Sequence, residues 1–244
     1  MLSFAEHSMG VKFISSESLN IGLHRSADKS PRPVTPGVAC QGKVHMNITL
    51  TKDGGKLTGN EGDGLRSAVT SEIEEIVKRL EEKFGPRDGP YSSITVNFNS
   101  GQRIDTVVDE TRKTISINLP TYEMNNDENS LYQRRLNLSH ELTHTITPCR
   151  DPNKATFLDE GLATVFSEEY TGAESGADGK YREARDLVLK LLELNNEVIR
   201  KLRVKYPDRK ISDYTLQDIL GELSPSSSAI DIVQKLLKPF NPTQ

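Results

Sequence analysis

Regular alternation of apolar and polar positions begins at Val44. From there Val44, Met46, Ile48 and Leu50 take one parity while His45, Asn47 and Thr49 take the other, the period of a half-buried strand. The glycine-rich run DGGKLTGNEGDG closes that strand. Leu65, Val69, Ile73, Ile76, Val77, Leu80 and Phe84 then recur at steps of three and four, which predicts a helix with one apolar stripe, stopping at Gly85-Pro86. Alternation returns with Ile94, Val96 and Phe98, continues through Ile104, Val107 and Val108 after a Ser100-Gly101 turn, and repeats at Ile115, Ile117 and Leu119 up to Pro120.

Beyond Pro120 the period becomes helical. Helices are expected over about 128–147, 155–170, 180–204, 215–222 and 228–238, the longest carrying a continuous stripe from Ala184 to Leu202. The order strand, helix, strands, helices gives an α+β class: a small antiparallel or mixed sheet backed by a helix, followed by a mainly helical C-terminal half. Residues 1–40, with SPRPVTPG at their end, show neither period and read as a flexible N-terminal arm; residues 41–240 read as one domain.

Composition narrows the partners. The net charge of -4 arises from 35 acidic and 31 basic residues spread along the chain, so no basic face of the kind nucleic acid demands is expected. No apolar run approaches the roughly 20 residues that cross a bilayer, which argues against membrane insertion. Glu6 and His7 stand where a cleavable signal needs basic residues, so a cytoplasmic location or a signal-independent export route is expected. Cys40 and Cys149 are too few for a disulfide framework and lack CxxC spacing.

The candidate chemistry lies in His140-Glu141-Leu142-Thr143-His144, an HExxH pattern inside a predicted helix. Residues four apart on a helix lie one turn along and about 40° around, so both imidazoles can reach one Zn²⁺. Glu141 then stands beside the metal without binding it, placed to take a proton from an activated water. The third ligand decides the class. A third histidine six residues after His144 is excluded because Arg150 stands there, and Thr147 replaces the glycine that accompanies it in metzincins. A deformylase-type cysteine ligand fails too, since Cys40 lies in VACQG beside the arm. What remains is Glu160, 16 residues beyond His144 on the next helix, with Pro148 and Pro152 available to turn the chain back.

HELTH followed by FLDEGLATVF resembles the gluzincin, thermolysin-like zinc peptidases over Leu136 to Tyr170. The resemblance implies a zincin-like domain, a metal site of His140, His144 and Glu160, Zn²⁺ as cofactor, Glu141 as catalytic base, and a protein or peptide substrate bound as an extended strand. It also implies that the last strand before the HExxH helix, Thr114 to Leu119, is the antiparallel edge strand receiving that substrate. Two positions depart from the family pattern. Thr164 stands where an acidic residue usually orients a ligating histidine, and no histidine follows His144 to stabilise the oxyanion. Tyr170, Tyr181, Tyr206 and Tyr214 are left as candidates for that role, unranked.

Blander readings stand beside these. His7, His24 and His45 have no partners at ligand spacing and are read as linker or exposed histidines, Cys149 as a small apolar filler, and Glu168-Glu169 as a solvated helix face, with Glu168 also a candidate to orient a ligand. For the whole chain, the rivals to an endopeptidase are a catalytically inactive, zinc-stapled interaction protein of effector or toxin type and a zinc hydrolase acting on a non-peptide amide.

Overall fold

A computed structural model describes residues 12–13, 47–57, 60–87, 93–101, 104–109, 111–146, 154–172, 179–224 and 226–240. His7, His24, Cys40, Val44, His45, Met46, Cys149 and both prolines of the predicted turn, Pro148 and Pro152, lie outside them, as does the N-terminal arm apart from Lys12–Phe13.

Six strands form one sheet: β1 (Lys12–Phe13), β2 (Asn47–Lys52), β3 (Gly55–Lys56), β4 (Ser93–Asn99), β5 (Asp105–Asp109) and β6 (Thr114–Pro120), in the order β1-β5-β6-β4-β2-β3. β2, β4 and β6 run parallel, while β5 is antiparallel to β6 and β3 to β2. The sheet is therefore mixed. The expectation that Thr114 to Leu119 forms an antiparallel edge is corrected: β6 lies inside the sheet, hydrogen-bonded to β4 on one side and β5 on the other. Its alternation could not reveal this, because a strand buried on one face shows the same period at an edge and in the middle.

The two faces follow that alternation. Leu50, Ile94, Val96, Phe98, Val108, Ile115, Ile117 and Leu119 point to the core. Opposite them a polar ladder crosses four strands in register: Thr51 donates to Asn97, Asn97 to Asn118, and Asn118 to Asp105, at 2.8, 3.0 and 2.5 Å.

Helix α1 (Asn60–Phe84) contributes its predicted stripe to the same core. It ends at Gly85, whose φ of +89° is open to glycine at little cost and whose N–H donates to Glu81 O. Helix α2 (Glu128–Thr143) is capped by Asp127, and from Leu136 to Thr143 every residue is buried. A helix enclosed on all sides loses the amphipathic stripe, so polar side chains along it must find partners inside the protein. Arg134, 1% exposed, donates twice to Glu72 of α1 at 3.0 and 3.1 Å and once to the carbonyl of Glu123 at 2.7 Å. Asn137 donates to the Glu123 carboxylate at 2.6 Å. This network fastens α2 to α1 and to the 3-10 turn Thr121–Met124 that follows β6.

Helix α3 (Phe157–Thr171) packs on α2, and α4 (Gly179–Leu194) packs on α3. The single helix expected over 180–204 is two: α4 stops at Leu194 and α5 resumes over Val198–Lys205. Asn195 explains the break, since its side chain accepts from Glu197 N–H at 3.0 Å and donates to Glu222 O at 2.8 Å, local bonds that compete with helical ones. Helices α6 (Leu216–Leu220) and α7 (Ser227–Leu236) complete the helical half. Among the described residues no helix is long and apolar enough to cross a membrane.

Burial pushes the Glu123 carboxyl up from 4.5 to about 7, against the opposing pull of Asn137, Tyr122 and Arg134. The folded state therefore holds this proton more tightly than the unfolded chain does. The associated stability is complete below pH about 4.5 and is lost as pH rises to about 7, on the order of 3 kcal/mol. Glu123→Gln, which carries no titrating group, is expected to gain melting temperature relative to wild type between pH 5 and pH 8. A Tm difference that stays flat across that interval would show that Glu123 is not the group responsible.

Candidate metal centre

The last turns of α2 and the first turn of α3 face one another. His140 and His144 stand one turn apart, their rings 5.1 Å between centroids and inclined at 74°. His144 caps α2, and the chain turns through Thr145 and Ile146, whose N–H groups return to Leu142 and Thr143 carbonyls. α3 opens with a capping box in which Thr156 and Asp159 satisfy each other's backbone N–H groups. The side chain that follows, Glu160, is 5% exposed and points inward.

Glu160 Oε2 lies 3.5 Å from His140 Nε2 and 3.7 Å from His144 Nε2. Those separations are too long for hydrogen bonds. Among the described residues His140 Nε2 and Glu160 Oε2 are buried with no hydrogen-bond partner, a situation that ordinarily costs about 1 to 3 kcal/mol per group. The spacing instead suits donors around one ion: four ligands at about 2.0 to 2.1 Å in a tetrahedron stand roughly 3.3 Å apart. Among the described residues this is the one cluster of His, Cys, Asp and Glu with such convergence.

The electrostatics agree. Burial holds both imidazoles down, His140 and His144 each to about 4, so at neutral pH they are uncharged and have lone pairs to offer. Burial raises the carboxyl of Glu160, with His144 opposing. Glu141 is pushed up to about 8, first by burial, with the Thr106 hydrogen bond opposing and the charges of Glu160 and Asp105 adding to it. Neutral imidazoles do not balance these carboxylates. A divalent cation among them does, and would favour their ionised forms.

Glu141 itself is 1% exposed and does not join the cluster. Its Oε2 accepts from the Thr106 hydroxyl of β5 at 2.7 Å, so the strand fixes where this carboxylate sits. Thr106 was not singled out in the sequence, where it is a polar residue between Asp105 and Val107; the register that pairs it with Ile117 turns it to the helix side of the sheet.

Of the four downstream tyrosines, Tyr181 is the one at the site. Its ring stands 6.3 Å from that of His140, and its hydroxyl is held well above the usual tyrosine range by burial and then by the charges of Glu160 and Glu141. Tyr170 stacks on Phe166 with Arg79 over its ring, and Tyr206 pairs with Tyr214. Thr164 and Glu168 are accounted for elsewhere: Thr164 donates to the carbonyl of Glu160, and Glu168 accepts from Arg185 of α4 at 2.6 Å.

Gly161 allows Tyr181 to arrive. A Cβ built there would overlap the carbonyl oxygen of Ala184 and come within 2.6 Å of Val188 Cγ2, so α4 rests directly on the α3 backbone beside Glu160. Tyr181 is three residues before Ala184 and shares its helix face. The pairing of Gly161 with a small residue in the α4 stripe was the available signal.

Two outcomes follow. The purified chain is expected to bind one Zn²⁺, and alanine at His140, His144 or Glu160 to weaken binding by roughly 100-fold or more in chelator competition; unchanged affinity in all three variants would refute the cluster as a metal centre. Gly161→Ala is expected to lower unfolding free energy by about 1 to 3 kcal/mol through overpacking, while Gly64→Ala on the open face of α1 is neutral or stabilising. Equal denaturation midpoints for the two variants would contradict the close approach of α3 and α4.

No protein-family model, curated protein or solved structure matches the chain.

Proposed function

We propose that this protein is a zinc-dependent peptidase of zincin-like fold, hydrolysing peptide bonds in a protein or peptide substrate. The observation that carries the reading is the convergence of His140, His144 and Glu160 on one point, with Glu141 adjacent and outside the set. Zn²⁺ held by these three side chains supplies Lewis acidity, lowering the pKa of water and polarising a carbonyl.

The protein's own groups do the rest. Glu141, fixed by Thr106, accepts a proton from the attacking water and passes it to the departing amine. Burial raises this carboxyl and a bound cation would favour its ionised form, and these opposing influences suit a group that must both accept and return a proton. The Tyr181 hydroxyl remains protonated across the working pH range and donates to the oxygen on which negative charge develops. An extended substrate joins the outward edge of β5, the strand whose Thr106 touches Glu141. That edge is taken over Val107 and Val108 by Lys12 and Phe13, so a substrate strand replaces β1 there.

The decisive comparison is wild type against Glu141→Gln, each loaded with zinc and presented with a peptide library. The variant is expected to keep its zinc and its melting temperature while losing roughly 10²- to 10⁴-fold in kcat/KM. If zinc-loaded wild type cleaves no peptide, the centre is a staple between α2 and α3 and the interaction-protein reading replaces this one; if it cleaves only non-peptide amides, the substrate class changes and the chemistry stands.

A further inference from the structure

The last described residues of the chain return to the metal centre. Phe157 N–H donates to Lys238 O at 3.1 Å, Thr156 and Pro239 form an antiparallel bridge, and Phe240 N–H donates to Ala155 O at 2.7 Å. Residues 238–240 thus close as a short ladder along the segment that starts α3, the helix whose first turn presents Glu160. The Phe240 side chain, 6% exposed, is inserted between two rings: Phe157 at 5.2 Å and 71°, Tyr181 at 4.8 Å and 61°. Tyr181 in turn meets His140 edge-on at 6.3 Å. Phe157, Phe240, Tyr181 and His140 form a continuous aromatic chain from the start of α3, through the C-terminal segment and the first turn of α4, to a metal-ligand candidate on α2.

Tyr181 lies in the first turn of α4, and helix ends are where a side chain is least fixed by its own element. Gly161 sets the distance between α3 and α4, and Phe240 packs edge-on against the Tyr181 ring. The Phe240 backbone is itself bonded to Ala155, just before α3. The C-terminal clasp is thus one of the contacts that set the position of the phenol relative to Glu160.

We infer that Phe240 is a positioning residue: its ring, held on α3 by the clasp, keeps the Tyr181 hydroxyl over the metal centre. The inference rests on the peptidase reading for its kinetic consequence, but the contact itself is testable without activity. Phe240→Ala leaves the backbone ladder intact, so zinc affinity is expected to stay within about threefold of wild type. Phe240→Leu, which keeps most of the apolar volume and loses the ring edge, is run beside it in case the alanine variant fails to fold.

The first readout uses metal-free protein: nitration of tyrosines by tetranitromethane, located by peptide mass mapping. Tyr181 is expected to react several-fold faster in the Phe240 variants, with the other tyrosines unaltered; unchanged reactivity at Tyr181 overturns the inference whatever the protein does to peptides. The second is a double-mutant cycle with Tyr181→Phe. Phe240→Ala or Phe240→Leu is expected to lower kcat by roughly 10- to 100-fold with KM held within about twofold, and to have no further effect once Tyr181→Phe is present. Losses that multiply in the double variant, or a fall in zinc affinity matching the fall in rate, would mean that Phe240 acts on the fold or on Glu160 and would overturn the role. A wild-type protein that cleaves nothing leaves the nitration result to decide, which separates failure of this inference from failure of the peptidase reading.

Discussion

Two buried polar atoms face one another at the centre of this protein without a hydrogen bond between them. His140 Nε2 and Glu160 Oε2 are 3.5 Å apart, each withdrawn from water, and neither has a hydrogen-bond partner among the described residues. A folded chain has easy ways to avoid that cost: a rotamer that reaches solvent, a donor brought within 3 Å, or an apolar residue in place of either. Here both helices are instead pinned so that relaxation is blocked. Asp127 and the Arg134 network hold α2, while the Thr156–Asp159 box and the Phe157–Lys238 bond hold the start of α3. Rigidity around unmet polar groups makes sense when a ligand meets them, and the chemistry of the donors names a cation.

The contrast with Glu123 sharpens this. Both glutamates are buried, and burial raises both carboxyls. Glu123 has Asn137 donating to it and the Arg134 guanidinium nearby, and its network joins α1, the 3-10 turn and α2. Among the described residues Glu160 Oε2 faces two uncharged imidazoles, set just beyond bonding range. The first carboxylate sits among amide and guanidinium donors of the chain itself. The second sits among groups whose lone pairs a cation would accept.

Much of this was legible in the sequence because it is local. The α1 stripe, the strand alternation and the HExxH pattern each depend on residues within a few positions, and Glu160 lies in the first turn of the helix that follows the pattern in the chain. What escaped depends on contacts far apart in the chain. The place of β6 inside the sheet is set by β4 and β5, not by its own residues. The division of the long helix turns on Asn195 finding Glu222 O, 27 residues away. Thr106 meets Glu141 across 35 residues, and the selection of Tyr181 over Tyr170, Tyr206 and Tyr214 required knowing which helix lies against Gly161.

These distant contacts sort by what they contribute. Local pattern placed the groups that could hold a cation, since His140 and His144 belong to one helix and its cap and Glu160 opens the next. Distant packing placed the groups that would act beside it: Thr106 from the sheet, Tyr181 from α4, and behind Tyr181 the C-terminal Phe240. Holding a cation asks for a few donors at fixed radius, which a helix pair can provide alone. Acting on a substrate asks for groups on several sides of the reacting atoms, aimed from elements that approach from different directions. A centre meant only to staple α2 to α3 would have no use for a strand hydroxyl trained on a non-ligating carboxylate, nor for a buried phenol facing the same carboxylates from a third helix. The sheet, α2, α3 and α4 each contribute a side chain here, and that is the support the arrangement lends to the peptidase reading proposed above.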